Sequence, residues 1–362
     1  MTNKIVINSS ILSEQPTGLG VYAKNVIKEM YKIDNNIRVL SPVDIDNINV
    51  EKINKYVKPS YKKLGGLVRL LWTQFVLPFK VKKDEIIYHP FQYLSLFSSK
   101  KQIITIHDFI PLHFPEVAKH QNRYYKIMMP LLLKKAYKII AISENTKKDI
   151  LKFYKVDESK IEVIPNGYDT ELFNVKNVKE NVLEKYNIDY DYMIMVGASY
   201  PHKNLELAVE AMVNLKSPCK LVVVGKDSHY ILKLKDLAKK LNVEDKIKFI
   251  GYVPDEDLPT LYNKSKAFVY TTLYEGFGLP ILEAMGCKTV VITSDNSSLP
   301  EVYGDAALVF ENNNSKDLQE KMEIILNDNG IREDLIKKSE QNVKRFSWGE
   351  TSKKIYELLN RR

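Results

Sequence analysis

The chain has 362 residues, 44% of them hydrophobic and 27% charged, which is typical of a globular protein of about two domains. No apolar run reaches the ~18 residues that a transmembrane helix needs, and the first seven residues lack the apolar core of a signal peptide. The two cysteines, Cys219 and Cys287, are too few for a disulfide framework. We therefore expect two buried free thiols in a cytoplasmic protein.

The net charge of +9 is concentrated in two segments of the N-terminal half. Residues 51–83 hold nine Lys and Arg against one acid, and residues 117–143 hold six and no acid. The rest of the chain is net negative, at −5 (9 minus 14). Such a basic surface favours an anionic partner: a membrane, a lipid diphosphate or a nucleic acid. The apolar run at 64–79 fits either a membrane-surface helix or a helix packed on the core.

Short β-rich runs alternate with helical stretches throughout, which indicates parallel sheets with crossover helices. Continuous apolar runs such as 221–224 are typical of strands buried on both faces. We therefore predict an α/β fold with two doubly wound, Rossmann-like parallel-sheet domains. The predicted strands are 4–8, 37–41, 86–89, 102–107, 138–142 and 161–164 in the first half, and 192–197, 219–225, 246–250, 266–271, 288–293 and 306–309 in the second.

A glycine loop, Gly18-Leu19-Gly20, follows the first predicted strand and precedes a helix. The dinucleotide fingerprint requires a third glycine and a later acid, and Ala23 stands at the third glycine position instead. The sequence therefore does not support an NAD site, while a plain tight turn stays open for this loop.

His107 and Asp108 lie at the end of the fourth predicted strand, and a lone histidine in such a place is structural about as often as functional.

A Pro-Asn-Gly turn at 165–167 is followed by a polar stretch, so the domain boundary is expected within 170–190.

A lysine follows the first strand of the second domain. In doubly wound sheets ligands bind at the carboxyl ends of strands, and Lys203 is placed there to meet a diphosphate as a point charge. The alternative is a solvated lysine in a connecting loop. Tyr252 and Val253 lie in a later loop of the same domain.

The most informative segment is Glu275 to Glu283, which contains two acids, two glycines and a proline. We expect a helix that begins at Pro280, with Glu283 in its first turn. Amides freed by the glycines at a helix N-terminus suit phosphate, and the acids suit sugar hydroxyls. Together they predict a nucleotide-sugar site, against the alternative of a core helix after a turn.

These motifs resemble those of retaining glycosyltransferases of family 4, which have the GT-B fold: two Rossmann-like domains facing a cleft. The match includes the acid-x7-acid segment 275–283, the His-Asp-x-x-Pro segment from His107, and the end of the chain from Arg345. It is similar in detail to the mannosyltransferase B-like subgroup. It implies an acceptor domain at 1–175, a donor domain at 188–345, and a final helix within 346–362 that crosses back to the first domain.

The resemblance also implies residue roles. Glu283 would hold ribose hydroxyls, Glu275 hydroxyls of the donor sugar, and Lys203 the leaving diphosphate. His107 would contact the sugar near the reacting carbon. The expected catalytic group is His107, Lys203 and Glu275; the donor-binding group is Gly18, Gly20, His202, Lys203, Tyr252, Val253, Gly276, Phe277, Gly278, Leu279 and Glu283; Asp108 lies on the acceptor side.

The implied function is transfer of a hexose, first of all mannose from GDP-mannose, to a hydroxyl of a glycan or polyprenyl-diphosphate-linked acceptor in surface polysaccharide synthesis. No metal or other cofactor is implied, and the enzyme would be cytoplasmic, peripheral on the inner face of the plasma membrane. A UDP-sugar of glucose, N-acetylglucosamine or galactose stays open as donor. A GT-B nucleotide-sugar epimerase or hydrolase stays open too, as does a nucleic-acid-binding protein, although the basic segments lack an aromatic stacking platform.

Overall fold

The computed structural model describes residues 3–16 and 18–361. The chain forms two compact units. Unit 1 comprises the described residues up to Gly167 together with those from Ser347 onward, and unit 2 is Tyr168–Phe346. The α-helices of the described residues are α1 Leu19–Ile33, α2 Lys62–Phe75, α3 Leu77–Lys80, α4 Ile110–His113, α5 Lys119–Ile127, α6 Met129–Lys135, α7 Glu144–Phe153, α8 Val182–Lys185, α9 Leu205–Ala211, α10 His229–Lys240, α11 Leu258–Asn263, α12 Leu279–Gly286, α13 Leu299–Tyr303, α14 Ser315–Asn327, α15 Asn329–Asn342 and α16 Trp348–Asn360.

Unit 1 is built on a parallel sheet of seven strands in the order β3-β2-β1-β4-β5-β6-β7. Chain order reverses between β1 and β4, which is where doubly wound sheets open a ligand crevice. Six strands confirm the predictions, while β3 was missed because it is only three residues long and none of them is buried. The strands are β1 Lys4–Asn8, β2 Arg38–Ser41, β3 Val50–Lys52, β4 Glu85–His89, β5 Gln102–Ile106, β6 Lys138–Ala141 and β7 Ile161–Val163.

Unit 2 is built on a parallel sheet of six strands in the order β10-β9-β8-β11-β12-β13, with its reversal between β8 and β11. All six predicted strands are present, although β12 begins three residues later than predicted. Apolar side chains from the sheet and from helices such as α9 and α14 form a continuous core. The strands are β8 Tyr192–Val196, β9 Lys220–Val224, β10 Ile247–Gly251, β11 Phe268–Tyr270, β12 Val291–Thr293 and β13 Ala307–Val309.

The final helix, α16, belongs to unit 1, as predicted. The side chain of Ser347 caps it by accepting a hydrogen bond from the Glu350 amide. It packs on α1, where the Trp348 ring meets Tyr22 edge-on at 5.6 Å. None of the described helices is long and apolar enough to span a membrane, and both cysteines are buried free thiols.

The turn at Gly167 leaves no room for a side chain. A Cβ there would overlap the backbone nitrogen of Trp348 and the carbonyl carbon of Ser347. Since backbone cannot yield as a flexible side chain does, we expect Gly167→Ala to destabilise unit 1 by about 3 kcal/mol. Tryptophan fluorescence during urea unfolding measures this unit alone, because both tryptophans, Trp72 and Trp348, lie in it.

Gly66→Ala is the matched control for that experiment. Gly66 lies within α2, and a Cβ there would meet nothing within 4 Å. Helix propensity alone then predicts a gain of up to about 1 kcal/mol. Equal urea midpoints for the two variants would contradict the packing argument.

Candidate functional site

Lys203 reaches the carboxyl end of the unit 2 sheet through a short loop after β8. Gly197 directly follows the strand with φ 80°, a conformation that favours glycine. The chain then makes a 3₁₀ turn at Pro201–Lys203 before α9. The Lys203 side chain therefore lies beside the β8–β11 reversal, where the sheet opens a ligand crevice.

The ammonium of Lys203 pairs with the carboxylate of Glu275. Nζ lies 2.5 Å from Oε1, and the two side chains are only 15% and 13% exposed. The hydroxyls of Tyr270 and Thr272 donate to the same oxygen at 2.8 and 3.0 Å. Burial alone would raise the pKa of Glu275, but Lys203 and the hydroxyl donors outweigh it and hold the pKa below its usual value. Glu275 is therefore ionised.

All three donors converge on one oxygen of Glu275. Oε2 accepts no hydrogen bond from any described residue. The carboxylate thus has an acceptor atom available for a ligand hydroxyl, while the other atom fixes its orientation.

Sequence reasoning missed Tyr270 and Thr272. Tyr270 is the last residue of β11 and Thr272 follows two residues later, so both lie where doubly wound sheets place ligand contacts. Polar side chains at a strand end were the available signal. Glu275 was recognised through the acids, glycines and proline of its own segment, and its supporting hydroxyls were not considered.

The loop after Glu275 is held open by two serines. Ser297 Oγ accepts from the Glu275 amide at 2.9 Å, and Ser298 Oγ lies 2.9 Å from the carbonyl oxygen of Phe277. Gly278 has φ 105°, where an L-residue would be strained. Among the described residues, no acceptor takes the amides of residues 277–279. Free amides at a helix N-terminus form an anion site.

Helix α12 differs slightly from the prediction. It begins at Leu279, with Gly278 as N-cap and Pro280 second in the helix. Glu283 is therefore the fifth residue and lies past the first turn, so its predicted place in that turn was wrong. The left-handed conformation of Gly278 allows the helix to start one residue earlier.

Glu283 lies in a partly buried, acidic environment. The Tyr262 hydroxyl donates to Oε2 at 3.4 Å, and Oε1 has no donor among the described residues. Burial, and next the carboxylate of Asp255, raise the pKa of Glu283 to about 7. Glu283 is thus poised to ionise when a ligand supplies further donors.

Three other predicted residues, His202, Tyr252 and Val253, also belong to unit 2. The backbone carbonyl of His202 accepts from the Leu273 amide at 2.8 Å, which ties the β8 loop to the β11 loop. Burial, with Lys203 nearby, lowers the pKa of His202 to about 4, so the ring is neutral. Tyr252 is 62% exposed, and Val253 beside it is buried. Tyr252 thus offers an open ring after β10, the strand that ends at Gly251.

The predicted residues of unit 1 lie at the carboxyl end of its own sheet. His107 follows β5 and is buried, with Nε2 2.8 Å from the carbonyl oxygen of Pro90. Because that oxygen only accepts, Nε2 carries the proton. Burial lowers the pKa of His107 to about 4, so it is neutral at physiological pH. Asp108 accepts from the Ile110 amide and so holds the loop.

The glycine loop of unit 1 borders a cavity. Gly18 has φ 38° and precedes α1, whose first turn contains Gly20. The cavity has a volume of about 640 Å³ and is also lined by Pro59 and Ser60. Its lining includes Ile11 and Ser13, in the loop that follows β1.

Asp-x-Asp spacing, which some metal-dependent enzymes use, occurs three times in the sequence. Of the Asp-x-Asp pairs, Asp44 pairs with Lys52, Asp191 with Lys266, and Asp257 with Lys185. Among the described residues no group of three His, Cys, Asp or Glu is arranged to hold a metal ion.

Family models and curated relatives match this chain. The model for Glycosyltransferase Family 4 matches residues 16–172, and that for Glycosyl transferases group 1 matches residues 178–342. O-antigen chain mannosyltransferase B of Escherichia coli is 31% identical over 74% of this chain and 71% of its own length. The chain belongs to glycosyltransferase family 4. O-antigen chain mannosyltransferase RfbU of Salmonella typhimurium is 32% identical over 61% of this family 4 chain and 59% of its own.

Solved structures place the fold among the GT-B glycosyltransferases. Anabaena HepE in complex with UDP and glucose matches over 99% of both chains, with a TM-score of 0.77 and 18% identity. WaaG, a glycosyltransferase involved in lipopolysaccharide biosynthesis, matches with a TM-score of 0.75 and 16% identity. The predicted fold class is therefore confirmed.

Proposed function

We propose that this family 4 enzyme is a retaining mannosyltransferase that moves mannose from GDP-mannose to a hydroxyl of a glycan acceptor. The relatives named as O-antigen chain mannosyltransferases support mannose as the sugar and surface polysaccharide as the product. The acceptor is a glycan carried on a polyprenyl diphosphate; one relative's name specifies a diphospho-undecaprenol substrate. The reaction takes place in the cytoplasm, at the inner face of the membrane.

One observation carries the proposal: free backbone amides and two acids lie within a single loop and helix of unit 2. The amides of residues 277–279 and the Lys203 ammonium provide positive charge. Glu275 and Glu283 each keep an oxygen available for a hydroxyl. A nucleotide diphosphate sugar presents the complementary groups, a diphosphate between two sets of hydroxyls.

Each group then has a role. Lys203 and the loop amides stabilise the charge that develops on the departing diphosphate. Glu275 Oε2 accepts from a hydroxyl of the sugar, and Glu283 accepts from the ribose. As the bond from the anomeric carbon to the phosphate oxygen breaks, the acceptor oxygen bonds to the same carbon on the same face. Its proton passes to the leaving phosphate, so this scheme uses no protein base and no metal.

The remaining predicted roles are part of the same proposal. Residues 188–345 form the donor domain, and residues 1–175 with 346–362 form the acceptor domain. His107, Gly18 and Gly20 act on the donor, and Asp108 shapes the acceptor side. These assignments rest on the family resemblance.

A thermal-shift panel of sugar nucleotides tests the donor. A ligand present at 100 times its dissociation constant stabilises by about 2.7 kcal/mol. We expect GDP-mannose to raise the melting temperature and UDP-glucose, UDP-N-acetylglucosamine and UDP-galactose not to. Stabilisation by a UDP-sugar instead would overturn the GDP-mannose assignment. Conversion of the nucleotide sugar at a useful rate without any acceptor would indicate an epimerase or hydrolase.

A further inference from the structure

An apolar face on unit 1 is exposed in the part of the chain that the structure describes. It runs along α2 and α3 at spacings of three and four residues, which place its members on one side of a helix. The helical path is nearly continuous, because the Val76 amide between the two helices still donates to Trp72 O. The five side chains are between 47% and 89% exposed: Leu64, Leu67, Leu71, Phe75 and Phe79.

The opposite side of α2 packs against the core of unit 1. Trp72 is buried, as is Leu77 on α3, in a cluster with strand residues of the sheet. At Gly65 a Cβ would overlap the carbonyl oxygen of Lys58, so the helix lies directly on the chain beneath it. The exposed face is therefore additional to the face that docks the helix.

A neighbouring loop extends the apolar face. Phe97 is 66% exposed and its ring stacks on Phe75 with centroids 5.2 Å apart. Gln74 fixes this loop, since its side chain donates to Leu94 O and accepts from the Leu96 amide. The result is a contiguous, rigidly held apolar patch, a feature that marks interaction sites on soluble domains.

Cations stand at both ends of this face. Residues 62–83 contain six Lys and Arg and no acid. Lys62, Lys63, Lys82 and Lys83 are exposed, and no described carboxylate lies within 4.0 Å of their ammonium groups. Lys80 pairs with Glu51 at 3.3 Å. An apolar helical stripe with lysines around it matches the chemistry of an anionic lipid surface.

We propose that the face formed by α2, α3 and Phe97 binds an anionic bilayer, with the helix parallel to the membrane plane. The leucine and phenylalanine side chains enter the boundary between headgroups and acyl chains, and the lysines contact anionic headgroups. Charge complementarity selects a bilayer over a second copy of this chain, which would bring the same lysines into opposition.

Helix α2 begins next to the cavity of unit 1, which suggests a function for membrane binding. The cavity beside Gly18 is lined by Pro59 and Ser60, directly before α2 begins at Lys62. If the acceptor is lipid-linked, as in the proposed function, a membrane-bound helix holds this cavity close to the headgroup layer. The bilayer binding itself does not depend on that acceptor.

Vesicle co-sedimentation of the full chain without any nucleotide tests the surface. Wild type is expected to bind phosphatidylcholine–phosphatidylglycerol vesicles at least about tenfold more tightly than phosphatidylcholine alone, and to lose this preference in high salt. The variant Leu67→Ser/Leu71→Ser/Phe79→Ser is expected to bind at least about tenfold more weakly. The control Val213→Ser/Leu232→Ser/Ile331→Ser changes three exposed apolar side chains of unit 2 and should bind as wild type does.

A second variant provides a test that does not depend on the folding of the serine variant. Lys62→Glu/Lys63→Glu/Lys83→Glu changes only exposed lysines and should abolish the preference for anionic vesicles. Failure of wild type to bind anionic vesicles, or equal binding by the serine variant, would overturn the proposal. A wild-type dimer that the serine variant converts to monomer, with no vesicle binding by either, would identify a second copy as the occupant. Since no sugar nucleotide is present, a wrong donor assignment does not affect any of these outcomes.

Discussion

Lys203→Met is expected to lower kcat/KM for sugar transfer by about 10²- to 10³-fold, or ~3–4 kcal/mol of transition-state stabilisation. Among the described residues, the Lys203 ammonium is the one side-chain cation that forms an ion pair with Glu275, at a distance of 2.5 Å. In the proposed reaction it offsets charge on the leaving diphosphate, which is greatest in the transition state. Initial rates with the donor found by thermal shift, at fixed acceptor, measure the effect. Lys239→Met is the control, since Lys239 is exposed on α10.

The same substitution is expected to weaken the fold of unit 2. Removing one partner of a largely buried ion pair leaves the other charge without compensation, at a cost of about 3–5 kcal/mol. Adding Glu275→Gln removes the uncompensated carboxylate charge, so the double variant should regain much of that stability while remaining inactive. Far-UV circular dichroism reports on both units and tryptophan fluorescence on unit 1, so comparing the two shows the unfolding of unit 2. A double-mutant cycle isolates the coupling of the pair. Near-normal transfer by Lys203→Met would contradict the assigned role.

Much of the fold could be predicted because its strands carry strong local signals. The apolar run ending at Val224 lies in β9 at the centre of a sheet, and burial on both faces requires such a run. Strand β3 carries no comparable signal, since Val50–Lys52 lies at the edge of its sheet and is not buried. Helix α12 begins one residue earlier than predicted. Gly278 is left-handed and caps the helix, so the helix begins at Leu279 and Pro280 takes the second position.

The charged residues of the site were predicted because each belongs to a sequence motif or, like Lys203, follows a predicted strand. Glu275 and Glu283 share one motif, whereas Tyr270 reaches Glu275 only because β11 and the following loop turn back on each other. Likewise, Ser298 supports the Phe277 carbonyl from a different loop. Hydrogen bonds of this kind depend on tertiary placement, and a single sequence contains no periodic signal for them.

The two faces of α2 show a further limit of sequence reasoning. Leu71 and Trp72 are adjacent and both apolar, yet Leu71 is exposed and Trp72 is buried. The sequence therefore left a membrane-surface helix and a core-packed helix open. The structure shows that one side is packed against the core, while the other is available to a partner.

Glu283→Gln is expected to stabilise the free enzyme while weakening its binding of nucleotide. The folded protein raises the pKa of Glu283 from its ordinary 4.5 to about 7, chiefly by burial. An acid with a raised pKa opposes folding when it ionises, so its cost is absent below about pH 4.5, grows up to about pH 7 and is constant above. The neutral glutamine should therefore stabilise unit 2 by about 2–3 kcal/mol at pH 8, and by less than about 1 kcal/mol at pH 5.

Binding of the nucleotide should change in the opposite direction. In the proposed function the ribose hydroxyls donate to the ionised carboxylate of Glu283, so wild-type affinity should rise about tenfold between pH 6 and pH 8 as Glu283 loses its proton. Glutamine offers a single oxygen and no charge, and losing charged hydrogen bonds of ~1.5–3 kcal/mol should weaken binding by about 10- to 100-fold and flatten its pH dependence. Calorimetric titration with the nucleotide across this pH range measures both effects, with Glu210→Gln on the exposed side of α9 as control. If Glu283→Gln bound the nucleotide as tightly as wild type at pH 8, the ribose would have to be held elsewhere, and the raised pKa would reflect burial alone.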